Sequence, residues 1–152
     1  MKRLLVAALC LVATGAQAQA YGPPITLDQA RKVYAAADAE ARKNNWAMTI
    51  VILDSGCNPV LMQKADGSQI AAPLVAQEKA YSACAYKRST KALQDTLAKG
   101  GDGLRYTTFP RMTAAEGGLP IMSEGKVIGG VGVSGVTGDQ DEQCARAGLG
   151  GK

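Results

Sequence analysis

The carboxylate of Glu116 is the ionisable group whose sequence surroundings most suggest chemistry. It stands directly before Gly117 and Gly118, at a tight glycine turn. A carboxylate in this position can accept hydrogen bonds from backbone N–H groups and hold the loop. Alternatively, it can face a pocket and serve as a general acid or base. Both roles stay open from the sequence.

The chain contains no histidine. This excludes histidine-based triads, imidazole metal sites and histidine ligation of haem. Chemistry would therefore use carboxylates, Lys, Tyr, Ser, Thr, Cys or Met, and we predict no metal site. Arginines near a pocket would suit the carboxylates of a ligand, and the candidates are Arg88, Arg105 and Arg111.

Residues 127–134 combine strand-forming residues with glycine. Side chains alternate between the faces of a strand, so one face carries Ile128, Gly130, Gly132 and Ser134 and is nearly bare. A bare face indicates close approach by another group. Either a helix of small residues packs there, around Ala80 and Ala83 or around Ala145 and Gly148, or a flat ligand lies over Gly130 and Gly132.

The spacing G-x-G-x-x-G also occurs between Gly130 and Gly135. A dinucleotide site needs these glycines in the turn that follows a strand of a βαβ unit. Here the glycines lie inside a strand, so we predict no nucleotide site.

The helices and strands that would position these residues follow from hydrophobic periodicity and capping signals. The predicted helices begin at Thr26, Pro73, Ser89 and Thr137, and the first ends at Asn44. The predicted strands are 46–53, 60–64, 119–122 and 127–134, paired as two hairpins. A mobile glycine-rich loop is expected at 100–105 and a short extended piece at 106–109. This order predicts an α+β domain with an antiparallel sheet and helices packed on its faces.

Residues 1–20 have the features of a signal peptide. Lys2 and Arg3 precede an apolar run over 4–12, and small residues at 16, 18 and 20 offer cleavage sites. The run is too short to span a bilayer. We therefore expect a secreted or periplasmic protein without a membrane span, with one domain at 21–152.

Net charge gives no support for nucleic-acid binding. Removing Lys2 and Arg3 with the signal peptide lowers the formal charge from +4 to +2. A net charge so close to neutral gives no argument for a nucleic-acid partner, and we predict none.

Three cysteines remain after residue 20, at 57, 84 and 144. They can be small buried hydrophobic residues. Alternatively, one disulfide forms and one thiol is left over, as expected in an oxidising compartment. The sequence does not choose the pair.

Taken together, these features resemble the secreted haem-binding and GlcG-like (HbpS-like) family, which also includes the C-terminal domain of PduO proteins. The resemblance covers essentially all of 21–152. It is carried by 116–121, 125–135, 141–149, Asp54-x-Gly56, Asp66-Gly67, 79–81 and 88–93.

The resemblance implies a profilin-like or PAS-like fold and a homo-oligomer. Family members are described as binding haem or corrinoid, some as degrading haem, and some as accompanying 2-hydroxyacid or diol metabolism. We therefore expect a secreted or periplasmic binding protein for haem or a related planar tetrapyrrole, with haem degradation as a further expectation.

The chain departs from the family at one turn, where many members have Gly-His and this sequence has Cys57-Asn58. A haem iron would then need Met, Tyr, Cys or a hydroxyl as ligand, or the porphyrin would be held by sandwiching alone. Met112 and Thr113 are the candidate iron ligands. The remaining predicted ligand contacts are Gly117, Gly118, Gly130, Gly132, Arg88 and Arg111.

Two other classes of function stay open. One is an enzyme acting on a small oxygenated metabolite of the hydroxyacid type, with Glu116 as acid or base and Arg or Tyr groups orienting the substrate. The other is a structural or sensory subunit that binds no haem and assembles through a sheet edge.

Overall fold

The structure, a computed structural model, describes residues 20–151. The predicted signal peptide lies almost wholly outside this range. Along the chain the elements are α1 (Leu27–Lys43), β1 (Thr49–Asp54), β2 (Pro59–Lys64), α2 (Ala72–Ala85), α3 (Thr90–Ala98), a 3₁₀ helix (Gly101–Thr108), β3 (Gly118–Ser123), β4 (Lys126–Ser134) and α4 (Gly138–Gly148). No helix among the described residues is long and apolar enough to cross a bilayer.

The four strands form one antiparallel sheet in the order β2-β1-β4-β3. The two predicted hairpins therefore lie side by side in this sheet. Strands β1 and β4 pair at the centre of the sheet, with Thr49 opposite Ser134 at one end and Asp54 opposite Gly129 at the other. β1 is buried on both faces, as its run of apolar residues on both parities indicates. The predicted α+β class with an antiparallel sheet is confirmed.

Helices cover both faces of the sheet. On one face α1 and α4 pack together over a core that includes Ile50, Ile52, Val131 and Val133. On the other face α2 packs on Val51 and Leu53 through Ala76 and Ala80. The predicted capping box that begins α1 is present: the backbone N–H of Gln29 donates to Thr26 Oγ1, and Gln29 Oε1 accepts from the backbone N–H of Thr26.

Helix α2 covers the bare glycine face of β4. A Cβ built on Gly130 would lie 2.5 Å from the carbonyl oxygen of Ala80, and one built on Gly132 would lie 2.0 Å from that of Ala76. The small-residue helix around Ala80 is therefore what occupies this face. The alternative, a flat ligand lying over Gly130 and Gly132, is wrong because the helix backbone fills that space.

The predictions for 100–109 differ from the structure. Residues Gly101–Thr108 form a 3₁₀ helix, and no extended piece is present at 106–109. Gly103 lies so close to α3 that an added Cβ would be 2.2 Å from the carbonyl oxygen of Thr96. The hydroxyls of Thr107 and Thr108 donate to backbone carbonyls three residues earlier. These local bonds favour a helical turn over an extended strand.

A disulfide joins Cys57, in the β1–β2 turn, to Cys84 near the end of α2, with the two Cα atoms 6.0 Å apart. Cys144 is a buried free thiol. Burial, followed by the charges of Glu40 and Asp141, raises its pKa to about 12. The alternative with one disulfide and one remaining thiol is therefore confirmed. Closing a loop of this length stabilises a fold by about 3–4 kcal/mol.

The contact between α2 and β4 leads to a stability prediction. Gly132→Ala should lower the free energy of unfolding by about 3 kcal/mol or more, because the new methyl group meets helix backbone. Urea unfolding followed by circular dichroism measures this. Gly125→Ala is the control: Gly125 has φ +74° and open space around it, so only backbone strain of about 1 kcal/mol is expected. Equal losses in the two variants would contradict the packing argument.

Candidate functional site

A buried ion pair lies beneath the Glu-Gly-Gly turn. Lys79 of α2 donates from Nζ to Asp141 Oδ2 at 2.6 Å and to the carbonyl oxygen of Val133 at 3.1 Å. The two charged side chains are only 4% and 3% exposed. Burial raises the pKa of the Asp141 carboxyl, and the Lys79 ammonium together with nearby backbone N–H groups partly offsets this rise. The pair connects α2, β4 and α4.

Gly117 covers this ion pair directly. Its φ is +113°, and an added Cβ would lie 2.7 Å from the carbonyl oxygen of Val133 and 3.0 Å from Lys79 Nζ. The Gly117 carbonyl accepts a hydrogen bond from the backbone N–H of Val133 at 2.9 Å. Glycine is therefore required here by space and by backbone conformation together.

Gly118 is packed equally closely. An added Cβ would lie 2.4 Å from the carbonyl oxygen of Lys79, and its backbone N–H donates to Thr90 Oγ1 at 2.8 Å. Both glycines of the turn are buried. Their close neighbours are protein atoms, so the predicted ligand contacts at Gly117 and Gly118 have no open surface in this structure.

Glu116 is held by side chains of α3 and also lines a surface cleft. Its backbone N–H donates to Gln94 Oε1 at 3.0 Å, and its Oε1 accepts from Gln94 Nε2 at 3.1 Å. Lys91 Nζ lies 3.4 Å from the same oxygen. These contacts hold the loop against α3. The side chain, 15% exposed, also lines a surface cleft.

This acidic cleft has a volume of about 460 Å³. Its charged lining residues are Glu40, Glu116, Asp139, Glu142 and Arg146. Hydrogen bonds from Gln143, then Asn44, hold the pKa of Glu40 below its usual value. Among residues 20–151 no group of three or more Cys, Asp or Glu side chains is placed to hold a metal ion.

None of the three candidate arginines, Arg88, Arg105 and Arg111, lines the acidic cleft. Arg88 lines a different pocket. Arg111 pairs with Glu78 at 2.8 Å and lies 3.7 Å above the Tyr81 ring. The hydrogen bond that Arg111 donates to Glu78 is the main reason that the pKa of Arg111 is raised. The arginine that lines the cleft together with Glu116 is Arg146, which was not among the predicted candidates.

A second pocket, here called the aromatic pocket, lies between α3, the 3₁₀ helix and the end of α2. It encloses about 70 Å³ and is lined by Tyr86, Arg88, Leu93, Tyr106, Phe109 and Met112. The ring centroids of Tyr86 and Tyr106 lie 6.1 Å and 5.4 Å from that of Phe109. Two predicted ligand contacts, Arg88 and Met112, are thus brought together.

Sequence reasoning missed the three aromatic rings of this pocket. A signal was present, because the only Phe in the chain and two of its five Tyr fall between 86 and 109. The pocket is also partly open to solvent, since Phe109, one of its walls, is 38% exposed. Exposed apolar side chains beside an aromatic pocket are a feature of ligand-binding surfaces.

Polar groups fix the aromatic pocket. Arg88 Nη1 donates to the Tyr106 hydroxyl oxygen at 3.1 Å, and the Tyr86 hydroxyl donates to the carbonyl oxygen of Pro110 at 2.6 Å. Burial is the main cause that raises the pKa of Tyr86. Thr113, the other predicted iron ligand, does not line the pocket; its backbone N–H donates to Ser82 Oγ at 2.7 Å.

The buried ion pair leads to a second stability prediction. Lys79→Met should lower the free energy of unfolding by about 3–5 kcal/mol, because it leaves Asp141 buried without its partner. Lys91→Met is the matched control. Lys91 pairs with Asp95 and Glu116 near the surface, so its loss should cost less than about 1 kcal/mol. Urea unfolding of both variants measures the difference. Equal losses of unfolding free energy would contradict a larger contribution from the buried pair.

Comparisons with known proteins agree with this fold. Residues 25–150 match the family model described as "Haem degrading protein HbpS-like". Protein GlcG of Escherichia coli K12 is 37% identical over 110 residues, which are 72% of this chain and 81% of GlcG.

Two solved structures are similar along most of the chain. The crystal structure of a double mutant of Streptomyces reticuli HbpS has a TM-score of 0.78 and 28% identity, and the match covers 99% of this chain and 97% of that one. The PduOC–haem complex has a TM-score of 0.76 over 85% of this chain and 95% of that one. Its identity of 21% shows the shared fold alone. The family match and the identity to GlcG establish that the chain belongs to the HbpS-like, GlcG-related family.

Proposed function

We propose that the protein binds haem, or a related planar tetrapyrrole, at the aromatic pocket. The observation that carries this proposal is the meeting of Arg88 and Met112 with three aromatic rings at a partly open surface. Membership of a family described by haem degradation supports haem-related binding.

Degradation of the bound haem is a finer proposal. Loss of haem absorbance when the complex is treated with peroxide, compared with free haemin, tests it.

The side chains of the aromatic pocket match the chemical needs of haem. The flat porphyrin face suits contact with Phe109 and the tyrosine rings. The thioether of Met112 and the phenol of Tyr106 are both groups that ligate haem iron in proteins. Arg88 offers a guanidinium for a propionate carboxylate. The donor set therefore fits haem although the chain has no histidine.

The size of the pocket determines how such a ligand could bind. Ligand pockets are usually about 300–1,000 Å³ in volume, whereas the aromatic pocket encloses about 70 Å³. A porphyrin would therefore lie across the open side, against Phe109, with much of its edge in solvent.

Titration with haemin tests the proposal. We expect the purified protein to shift and sharpen the Soret band with saturation at one haem per aromatic pocket. Phe109→Ala should weaken binding roughly tenfold, because it removes aromatic contact and apolar area. Ile70→Ala is the control, since Ile70 is 98% exposed and lies outside the pocket. An unchanged haemin spectrum with the wild-type protein would reject the proposed function.

We further propose that the protein works in the periplasm or outside the cell. The basic start and apolar run of residues 1–20 support export. The Cys57–Cys84 disulfide supports it independently, because such bonds persist mainly in oxidising compartments. Mass spectrometry of the protein isolated from the periplasmic or extracellular fraction tests this proposal. An exported chain should lack about the first 18 or 20 residues. A chain with an intact N-terminus in the cytoplasm would contradict the proposal.

A homo-oligomer is a further proposal, which the family resemblance suggests. Large apolar side chains are exposed on β2 and near the start of α2, at Met62, Ile70 and Leu74. Contact with a second copy would remove such surface from water. Light scattering, which gives the particle mass in solution, tests assembly, and a monomer mass at high concentration would exclude it.

A further inference from the structure

Tyr106 differs from the other tyrosines near the aromatic pocket in how its oxygen is held. The hydroxyls of Tyr21 and Tyr86 both donate to backbone carbonyls at the end of α2 or at Pro110. Burial raises the pKa of both groups, so they remain neutral donors. The Tyr106 oxygen instead accepts a hydrogen bond from Arg88 at 3.1 Å, and no described residue is seen to accept its proton.

Several other groups that could ligate iron are buried or already bonded. Cys57 and Cys84 form the disulfide, and Cys144 is fully buried. Met48 is 2% exposed and belongs to the core. Thr113 is fixed by its backbone to Ser82, outside the aromatic pocket. Within the pocket the choice is therefore between the Met112 thioether and the Tyr106 phenol.

Chemistry favours the phenol for oxidised iron. Fe³⁺ is a hard cation and prefers an anionic oxygen, whereas a thioether is a soft, neutral donor suited to softer metals. Tyrosine is an established haem ligand in proteins. A guanidinium beside the oxygen would balance the negative charge of an iron-bound phenolate. The hydrogen bond from Arg88 therefore favours Tyr106 over Met112 as the ligand of oxidised iron.

We propose that Tyr106 is the protein ligand for ferric haem in this chain and that Arg88 is the positioning residue that holds its oxygen. This inference rests on the proposed haem binding. Forming the Fe³⁺–oxygen bond releases the phenol proton to solvent and transfers no electron. The proposed ligand is thus a tyrosine on the 3₁₀ helix of a chain that contains no histidine.

Ligation by phenolate has a consequence that depends on the oxidation state of iron. Fe²⁺ is a softer and less charged cation than Fe³⁺, so its bond to an anionic oxygen is weaker. Reduction of the bound iron should therefore weaken haem binding through Tyr106. A protein with this ligand would retain oxidised haem and release reduced haem more easily.

Resonance Raman spectroscopy of the ferric haem complex tests the ligand directly. We expect the wild-type complex to show iron–phenolate vibrations that shift when the protein carries ring-deuterated tyrosine. Tyr106→Phe should lose these bands while still binding haem through the aromatic rings, with affinity reduced by roughly tenfold, a change of about 1.4 kcal/mol. Tyr34→Phe is the matched control, because Tyr34 lies on α1 and outside the aromatic pocket, and it should keep the bands.

The outcomes separate this inference from the proposed function. If the wild-type protein binds no haem, the proposed function fails and the ligand assignment fails with it. If it binds haem but lacks phenolate bands, or if Tyr106→Phe keeps them, only the assignment is overturned. A ferric spectrum altered by Met112→Leu and not by Tyr106→Phe would assign the iron to Met112 and overturn the proposal. Should Tyr106→Phe fail to fold, the isotope shift in the wild-type protein still decides whether a tyrosine is bound.

Discussion

The buried ion pair between Lys79 and Asp141 is the interaction on which the arrangement of this domain depends. Removing two charges from water costs several kcal/mol per ion, and only close geometry with further hydrogen bonds offsets that cost. Both conditions are met, because the carbonyl of Val133 and the backbone N–H of Val136 complete the pair. A helix from each face of the sheet is thereby tied to the central strand β4. The Glu-Gly-Gly turn closes over the pair, and its glycines are needed because no side chain fits above the ammonium group.

The Glu-Gly-Gly turn therefore covers a buried ion pair, whereas its sequence suggested contact with a ligand. The carboxylate of Glu116 points to the acidic cleft, whereas Met112, only four positions earlier, lies in the aromatic pocket on the other side of the same connection. Residues that are close in sequence thus serve two separate surfaces. A single site that combined Glu116 with Arg88 or Arg111 is not what this fold builds. The two surfaces can differ in function, since one is acidic and polar and the other is aromatic.

Local features of the fold were predictable because short-range rules govern them. The capping box at Thr26, the two hairpins and the close packing of small residues on Gly130 and Gly132 all follow from spacing within single segments. The role of Lys79 was not predictable, because a lysine in a helix is usually exposed and its partner lies 62 positions later. The aromatic pocket was missed for a similar reason, since its walls come from three segments. The 3₁₀ helix depends on hydrogen bonds from the Thr107 and Thr108 hydroxyls to the backbone, which the prediction of an extended piece at 106–109 did not take into account.

The disulfide has a practical consequence for any work on haem binding. Tyr86, a wall of the aromatic pocket, follows Cys84 by two positions. The hydroxyl of Tyr21 is hydrogen-bonded to the backbone carbonyls of Cys84 and Ala85, directly before Tyr86. The end of α2 is therefore fixed by one covalent bond and two hydrogen bonds. A thiol reagent would release the covalent restraint, whereas an electron donor that cannot reduce disulfides would act on the iron alone. The two kinds of reductant would consequently perturb different parts of the same binding surface.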